Sequence, residues 1–463
     1  MDFLHYSPED GWFGDPMPLW HDGVYHIYYC KKYQDNTLGW GHISTQDFVN
    51  YTEHPDPFPH GAPGVPFNTG CVYWHDGKFH AYYAGKDTDG MSILHAESDD
   101  GVTFSYPGEI CFRRPEDLYR QDETWRDPFV FYDEDAKLYR MVFCAKGPEN
   151  GTPDCFAGKI GQAVSSDMKT WECLAPMDLS GIAMTLECPE IYRDKDQWVL
   201  IYYWHETRFR TAPTPQGPWH RGRVISPDHF DFMAARHMYD GDRHFLIGWL
   251  PRRECDCQER IWGGHMLFPR ELRVEDGTPK TRFVREIDAV FPKRSAAFLP
   301  SSFTFCNEGW TPTETGFTAS SPVGGTLAYA PDLPDTCLIR MKVSLSNPNG
   351  QMLILLGTHT GTKNSPVTEN GYQIMLDPSE HLIRLRKHYI WDQRNDIAVI
   401  PYTFDKDGTV SLEILRHDGI LEVGVDGEQT LVSRMLTDAH GGIAFSVQDT
   451  TAEIADLSIY TRD

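Results

Sequence analysis

The sequence predicts an all-β protein: a five-bladed β-propeller catalytic domain at residues 1–292, followed by a β-sandwich domain at 298–463. Three observations carry this. Aromatic residues make up 13% of the 463, and 39 glycines and 32 prolines favour strands and tight turns over helices. One hairpin pattern recurs along the first part of the chain. From about residue 296 that pattern gives way to short strands of period two or buried strands.

The recurring hairpin reads aromatic, turn, aromatic: WHDGVYHIYY at 20–29, WHDGKFHAYY at 74–83, FYDEDAKLYRMVF at 131–143, IYRDKDQWVLIYY at 191–203 and MYDGDRHFLIGW at 238–249. Each is a short strand, an Asp-rich turn and an alternating strand. A second signature follows three of them: ISTQDFVNY at 43–51, AESDDGVTF at 96–104 and AVSSDMKTW at 163–171. It reads as a further strand, a turn with Asp and an aromatic plug. Repeats of roughly 40–50 residues with about four strands each are the mark of a propeller, whose blades bury their faces only against neighbours. A large sandwich built of hairpins is the alternative.

GWFGDPMPLWHDGVYHIYY, at 11–29, sets Asp15 against a proline at the start of an apolar hairpin. Alone, Asp-Pro is a turn opener. The third copy carries Asp127 in WRDPFVFYDED and the fourth Glu187 in LECPEIYRDKD; the second has Thr69 or Gly70 at that place and the fifth lies near Met233. The reading is that three acids occupy one equivalent position. Innermost blade strands line a central channel, so the acids are expected to converge at one end. Like charges there are costly unless a proton or ligand relieves them.

That arrangement suits glycoside cleavage, which needs a carboxylate nucleophile and a carboxylic acid to protonate the leaving oxygen. Two negative neighbours are expected to keep the acid protonated, and Arg126 to hold Asp127 ionised. Turn or cap roles for all three acids, and calcium binding by the triad, are the competing readings; no D-x-D-x-D-G loop is present.

Acids outnumber bases 67 to 42, a formal charge of −25, so nucleic acid and anionic membrane surfaces are not expected partners. No run of about 18 apolar residues and no basic–apolar leader is visible. Eleven cysteines lack a disulfide framework, and the expectation is a cytoplasmic protein with reduced thiols. Cys255 and Cys257 form a C-x-C without a second pair. The 20 histidines are scattered, and no metal or other cofactor is expected.

At these residues the chain resembles glycoside hydrolase family 32, the β-fructosidases (invertases, inulinases, levanases). HYSPEDGWFGDP at 5–16 is similar to the family's W-M-N-D-P-N-G motif, LGWGHISTQDFVNY at 38–51 to its W-G-H-A-x-S-x-D segment and PFNTGCV at 66–72 to F-S-G-S. WRDPFV at 125–130 resembles R-D-P and LECPEIY at 186–192 resembles E-C-P. DFMAAR at 231–236 and IWGGHMLFPREL at 261–272 resemble the last propeller segments, and ILEVGVDGEQTLVSR at 420–434 the sandwich.

The resemblance implies that Asp15 is the nucleophile, Glu187 the general acid and then base, and Asp127 the transition-state stabiliser. Retention of configuration follows, with nucleophile and acid about 5–5.5 Å apart. It further implies substrate contacts from Trp12, Gly14, Cys30, Asn68, Arg126 and Arg236, and an aromatic rim of Trp40, Phe67 and Trp262. Aromatics also fill blades, so a core role is the competing reading for that rim. The family's Asn before the nucleophile is Gly14 here, its Asn-Gly after D-P is Met17-Pro18, and its Gln after the first hairpin is Cys30. Those amides hold fructose hydroxyls in the family, so their loss is expected to shift substrate preference away from sucrose and inulin.

Beyond a joint at Phe291–Pro300, about ten short strands read as a two-sheet sandwich without an acid triad. It is expected to be a packing partner, with sugar binding or homo-oligomer formation as the second reading. For the whole chain three functions stay open: a β-fructosidase-like hydrolase acting on a small carbohydrate, a furanosidase of another class such as an arabinofuranosidase, and a non-catalytic carbohydrate-binding propeller.

Overall fold

Turn chemistry fixes the hairpins. Strands β1 (Gly11–His21) and β2 (Val24–Tyr33) pair through His21↔Val24, leaving Asp22 and Gly23 as a two-residue turn with φ of 47° and 79°. A type I′ turn needs positive φ at both central residues, which Asp-Gly accepts at low cost. β3 (Leu38–Thr45) and β4 (Tyr51–Glu53) complete the first blade. Asp76-Gly77 makes the same turn between β5 (Gly70–His75) and β6 (Lys78–Asp87), and β7 (Gly90–Ser98) and β8 (Glu109–Arg113) finish the second blade.

The third blade is β9 (Arg126–Asp133), β10 (Leu138–Lys146), β11 (Gly158–Ser165) and β12 (Glu172–Met177). The fourth is β13 (Glu187–Asp194), β14 (Gln197–Trp204) and β15 (Glu206–Ala212). The fifth holds β16 (Met233–Tyr239), β17 (His244–Arg252), β18 (Ile261–Met266), β19 (Arg270–Glu275) and β20 (Thr278–Phe283).

The second sequence signature is a side-chain-locked turn. Phe48, Gly101 and Met168 each have positive φ, and their backbone N–H groups donate to Thr45, Ser98 and Ser165 hydroxyls at 2.9, 3.0 and 2.9 Å. Asp47, Asp100 and Asp167 each accept two further backbone N–H groups with Oδ1. Short polar side chains thereby replace the ladder that ends there.

The innermost strands β1, β5, β9, β13 and β16 touch in cyclic order, and β16 returns to β1. Pairing of Phe13 with Gly264 closes the ring between β1 and β18, and the Met266 N–H donates to the Tyr6 carbonyl at 2.8 Å. Closure removes the open edge that an unpaired strand would present. The faces between blades are apolar: Tyr28, Val72, Tyr83 and Leu94 between the first and second, Tyr82, Val130 and Phe143 between the second and third, Phe131, Ile191 and Leu200 between the third and fourth. Each such fully buried side chain contributes about 1.5–3 kcal/mol.

The computed structural model describes residues 4–62, 64–87, 90–122, 124–148, 151–177, 179, 183–222, 226–228, 231–254, 259–358, 371–388, 395–404, 409–436 and 440–462. Cys255 and Cys257 lie outside them. The chain forms two compact units, Met1–Arg252 with Arg260–Lys280, and Thr281–Asp463 with Arg253–Glu259. In the second, the Thr281 N–H donates to the Glu428 carbonyl and Lys293 pairs with Thr461, so the segment 281–294 packs there.

The second unit is a β-sandwich. Its 20-residue strand Gly442–Thr461 serves both sheets: the first part pairs with Gln351–Thr358, the second with Cys337–Leu345. Phe317–Ala330 follows it on the other side, with an irregularity between Ser321 and Gly325. Phe317, Ile354, Leu412, Val423 and Phe445 belong to an apolar core of this unit.

Candidate active site

Four of the five innermost strands break register at the same end. The breaks fall at Gly14/Pro16 in β1, opposite Val142/Cys144 in β9, at Glu187/Glu190 in β13 and at Met233/Arg236 in β16. Asp127, Cys188 and Ala234 have φ of 58°, 48° and 42° at these bulges. In a flat strand consecutive side chains face opposite ways. The bulge re-aims the chain, so the consecutive pairs Arg126–Asp127, Glu187–Cys188 and Met233–Ala234 all line one pocket.

This corrects the expectation of a single equivalent position. Glu187 pairs with Tyr203 as Arg126 pairs with Cys144, one residue before the positive-φ position held by Asp127 and Cys188. The acids therefore come from two adjacent register positions, and the bulge lets both face inward. Proline at 16, 128 and 189 suits the strand there because the bulge leaves a donor unpaired.

The pocket holds about 350 Å³, within the range of small-ligand sites. Asp15, Asp127 and Glu187 share it with Arg126, Asn68 and Tyr203, and Leu38, Phe67 and Trp262 supply apolar wall. Asp15 is held at both oxygens: the Thr69 hydroxyl donates to Oδ2 at 2.7 Å and the Trp249 indole N–H to Oδ1 at 2.9 Å. Asp127 Oδ2 accepts the Cys188 backbone N–H at 3.0 Å. The Arg126 guanidinium meets Glu187 Oε1 at 2.8 Å and Asp127 Oδ2 at 3.6 Å, so its tighter partner is Glu187, not Asp127 as the sequence suggests. The Thr185 hydroxyl adds a bond to Glu187 Oε1 at 3.2 Å.

Burial raises the Asp15 carboxyl above its ordinary range; the Thr69 bond opposes this, the Asp127 charge adds to it and the Trp249 bond opposes it. Glu187 is also raised, chiefly by burial, with Arg126 opposing and the Asp127 and Asp15 charges reinforcing. Negative neighbours thus contribute less to the raised acid than desolvation does. Burial likewise pushes the Cys30 and Cys188 thiols well up.

The pocket takes in Cys30, Phe67, Asn68, Arg126 and Trp262 of the expected substrate contacts, and leaves out four. Trp40 is only 1% exposed, packed against Phe58 and Tyr83; its indole N–H donates to the Asn68 carbonyl at 2.9 Å, so it supports the wall from behind. Arg236 is 1% exposed, because the break at Met233/Arg236 turns it beneath the site, where it bonds the Pro189 carbonyl and lies over the Phe129 ring. Trp12 is covered by the Arg252 guanidinium, 3.7 Å from its ring centroid. Gly14 is capped by Trp262: a Cβ there would stand 2.6 Å from the indole.

Met17 is buried with its sulfur 3.1 Å from the Gly70 N–H, and neither it nor Pro18 lines the pocket. Sequence reasoning missed Thr69, Trp249 and Tyr203 as site residues. Tyr203 had a signal, since it faces Glu187 across the fourth hairpin. Trp249 stands at the matching place in the fifth, opposite Met233.

A five-bladed propeller with a carboxylate-lined pocket where its innermost strands bulge is the class of protein these observations define. The glycosyl hydrolases family 32 N-terminal domain matches residues 5–284, and the chain belongs to that family. Curated relatives include raffinose invertase of Escherichia coli, 24% identical over 62% of this chain and 65% of that protein. The extracellular exo-inulinase inuE of Aspergillus ficuum is 21% identical over 93% of this chain and 88% of its own length. The chain spans less than two thirds of the first curated relatives it matches. Among solved structures, the sucrose-6-phosphate hydrolase of Lactobacillus gasseri superposes with a TM-score of 0.74 at 16% identity, covering 100% of this chain and 93% of that one. The Bombyx mori GH32 beta-fructofuranosidase BmSUC1 gives 0.69 at 18%, over 99% and 93%. At such identity these likenesses speak for the fold.

Proposed function

We propose that this chain is a retaining glycoside hydrolase that cleaves fructofuranosides or a closely related furanoside. The observation that supports it is the meeting of Asp15, Asp127 and Glu187, from three blades, in one small pocket. Asp15, fixed by Thr69 and Trp249, attacks the anomeric carbon while Glu187 gives its proton to the leaving oxygen. The C–O bond breaks and a glycosyl ester forms on Asp15. Glu187, now a carboxylate beside Arg126, takes a proton from water as the water oxygen attacks the same carbon and frees Asp15. Asp127 accepts hydrogen bonds from sugar hydroxyls in both steps, with no proton transferred.

Relatives named as invertases and inulinases support this substrate class. Preference within it is set by the changed residues: Trp262 covers Gly14, and Cys30 offers a thiol at the pocket floor. A wall with fewer amide donors discriminates against substrates that need them, so sucrose and inulin are poor substrates. The nine cysteines of the described residues are free thiols, which suits a reducing, cytoplasmic setting.

Product release from a panel of β-fructofuranosides and α-arabinofuranosides tests the reading with wild type, Asp15→Asn and Glu187→Gln. Cleavage of a fructoside that falls about 10²–10⁴-fold in both variants, with sugar binding retained, is expected. Cleavage of arabinofuranosides alone assigns another furanosidase class, and sugar binding without turnover by wild type assigns a binding module.

A further inference from the structure

The second blade carries a cluster that the pocket chemistry does not use. His80 on β6 and His95 on β7 bring Nδ1 and Nε2 to 2.9 Å, their rings stacked with centroids 5.1 Å apart. Glu97, the cross-strand partner of His80, places Oε1 4.0 Å from His80 Nδ1 while Lys78 holds its Oε2 at 3.0 Å. Among the described residues, no other three His, Cys, Asp or Glu side chains bring ligand atoms within 4.8 Å of one another. We propose that His80, His95 and Glu97 form a site for a borderline divalent cation of the Zn²⁺, Co²⁺ or Ni²⁺ class, sharing no residue with the lining of the carboxylate pocket.

Three features support this. The His80 Nε2 meets the His75 carbonyl at 3.2 Å; a carbonyl only accepts, so Nε2 carries the proton and Nδ1 accepts the His95 Nε2–H at 2.9 Å, and a bound cation takes the place of that one proton between the two nitrogens. Protein ligands of such metals are oriented in this way by a backbone carbonyl on the other ring nitrogen. Two imidazoles and one carboxylate make a three-ligand zinc set that leaves a position for water. Nitrogens bound to tetrahedral zinc lie about 3.3 Å apart, a small opening from 2.9 Å. Glu97 is about one third exposed and closes its gap by side-chain rotation. His95 and Glu97 also border a cavity of about 530 Å³, which gives the ion an entry path and room for water.

The first blade supplies an internal control. His26 and His42 occupy the same register and meet at 3.1 Å, but the place of Glu97 is held by Ser44, opposite His26. A histidine pair is therefore a recurring packing device, and the carboxylate is what the second blade adds.

The test is titration of chelator-treated full-length protein with Co²⁺, read by its visible d–d absorption, and by Zn²⁺ calorimetry. Wild type is expected to bind one saturable equivalent. Glu97→Ser, which copies the first blade at a partly exposed position, and His80→Asn each weaken binding at least about tenfold, whereas His42→Asn leaves it unchanged. Thermal melting of each variant verifies its fold. No saturable binding by wild type, or equal affinity in folded Glu97→Ser, overturns the proposal.

Discussion

Replacing Thr69 by valine removes one donor from Asp15, together with the weaker contacts of its hydroxyl with the Cys30 and Cys188 sulfurs at 3.6 Å. Its hydroxyl lies 2.7 Å from Asp15 Oδ2 on a residue 1% exposed, so water does not take its place. The loss of a hydrogen bond to a charged group is worth about 1.5–3 kcal/mol, or about 10- to 150-fold in an ionisation equilibrium. Trp249 still holds the other oxygen. The Thr69 bond favours the carboxylate, so its loss pushes Asp15 further in the direction that burial already does. In the proposed mechanism Asp15 attacks as the carboxylate and must be ionised. The acid limb of kcat/KM is therefore expected to move to higher pH by about one unit or more. The rate falls about tenfold or more on the acid side, and less where Asp15 is fully ionised. The assay is initial rate against pH, from about 4 to about 8, on an activated fructofuranoside, with Thr69→Ser as the rescuing variant. A folded Thr69→Val enzyme whose profile overlies the wild type, or falls equally at every pH, refutes the reasoning.

Three further outcomes follow from the same geometry. Arg126→Met removes the cation 2.8 Å from Glu187, so the acid keeps its proton longer and the alkaline limb shifts up by about one unit; a downward shift contradicts the assignment. Gly14→Ala drives a Cβ into the Trp262 ring and displaces that wall, raising KM about tenfold with a smaller change in kcat; an unchanged KM rejects the wall role. Asp15→Asn stabilises the protein near neutral pH. The native Asp15 carboxyl is raised, so its contribution to stability is fully present below the unfolded value of about 3.9 and is lost as pH rises through the native one. Melting curves should show the variant's advantage growing from about pH 4 to about pH 7, at about 2–4 °C per kcal/mol, and a constant offset counts against it.

What the sequence determined by itself was local. Asp22-Gly23 and Asp76-Gly77 specify their turns because positive φ depends on two residues, and the Ser/Thr and Asp of the second signature lock their own neighbours. Recurrence of that local code gave the blades, the propeller and the identity of the three acids. Tertiary structure decided the rest. Asp15 meets Thr69 across 54 residues and Trp249 across 234, contacts that exist only once the ring closes. The bulges place Arg126 and Glu187, rather than Asp127 and Glu187, in one register, since a single extra residue reverses which side chains face the pocket. Trp40 and Arg236 carry the right chemistry for a sugar site, but packing between neighbouring blades hides them, and burial is a property of the assembled fold rather than of any segment.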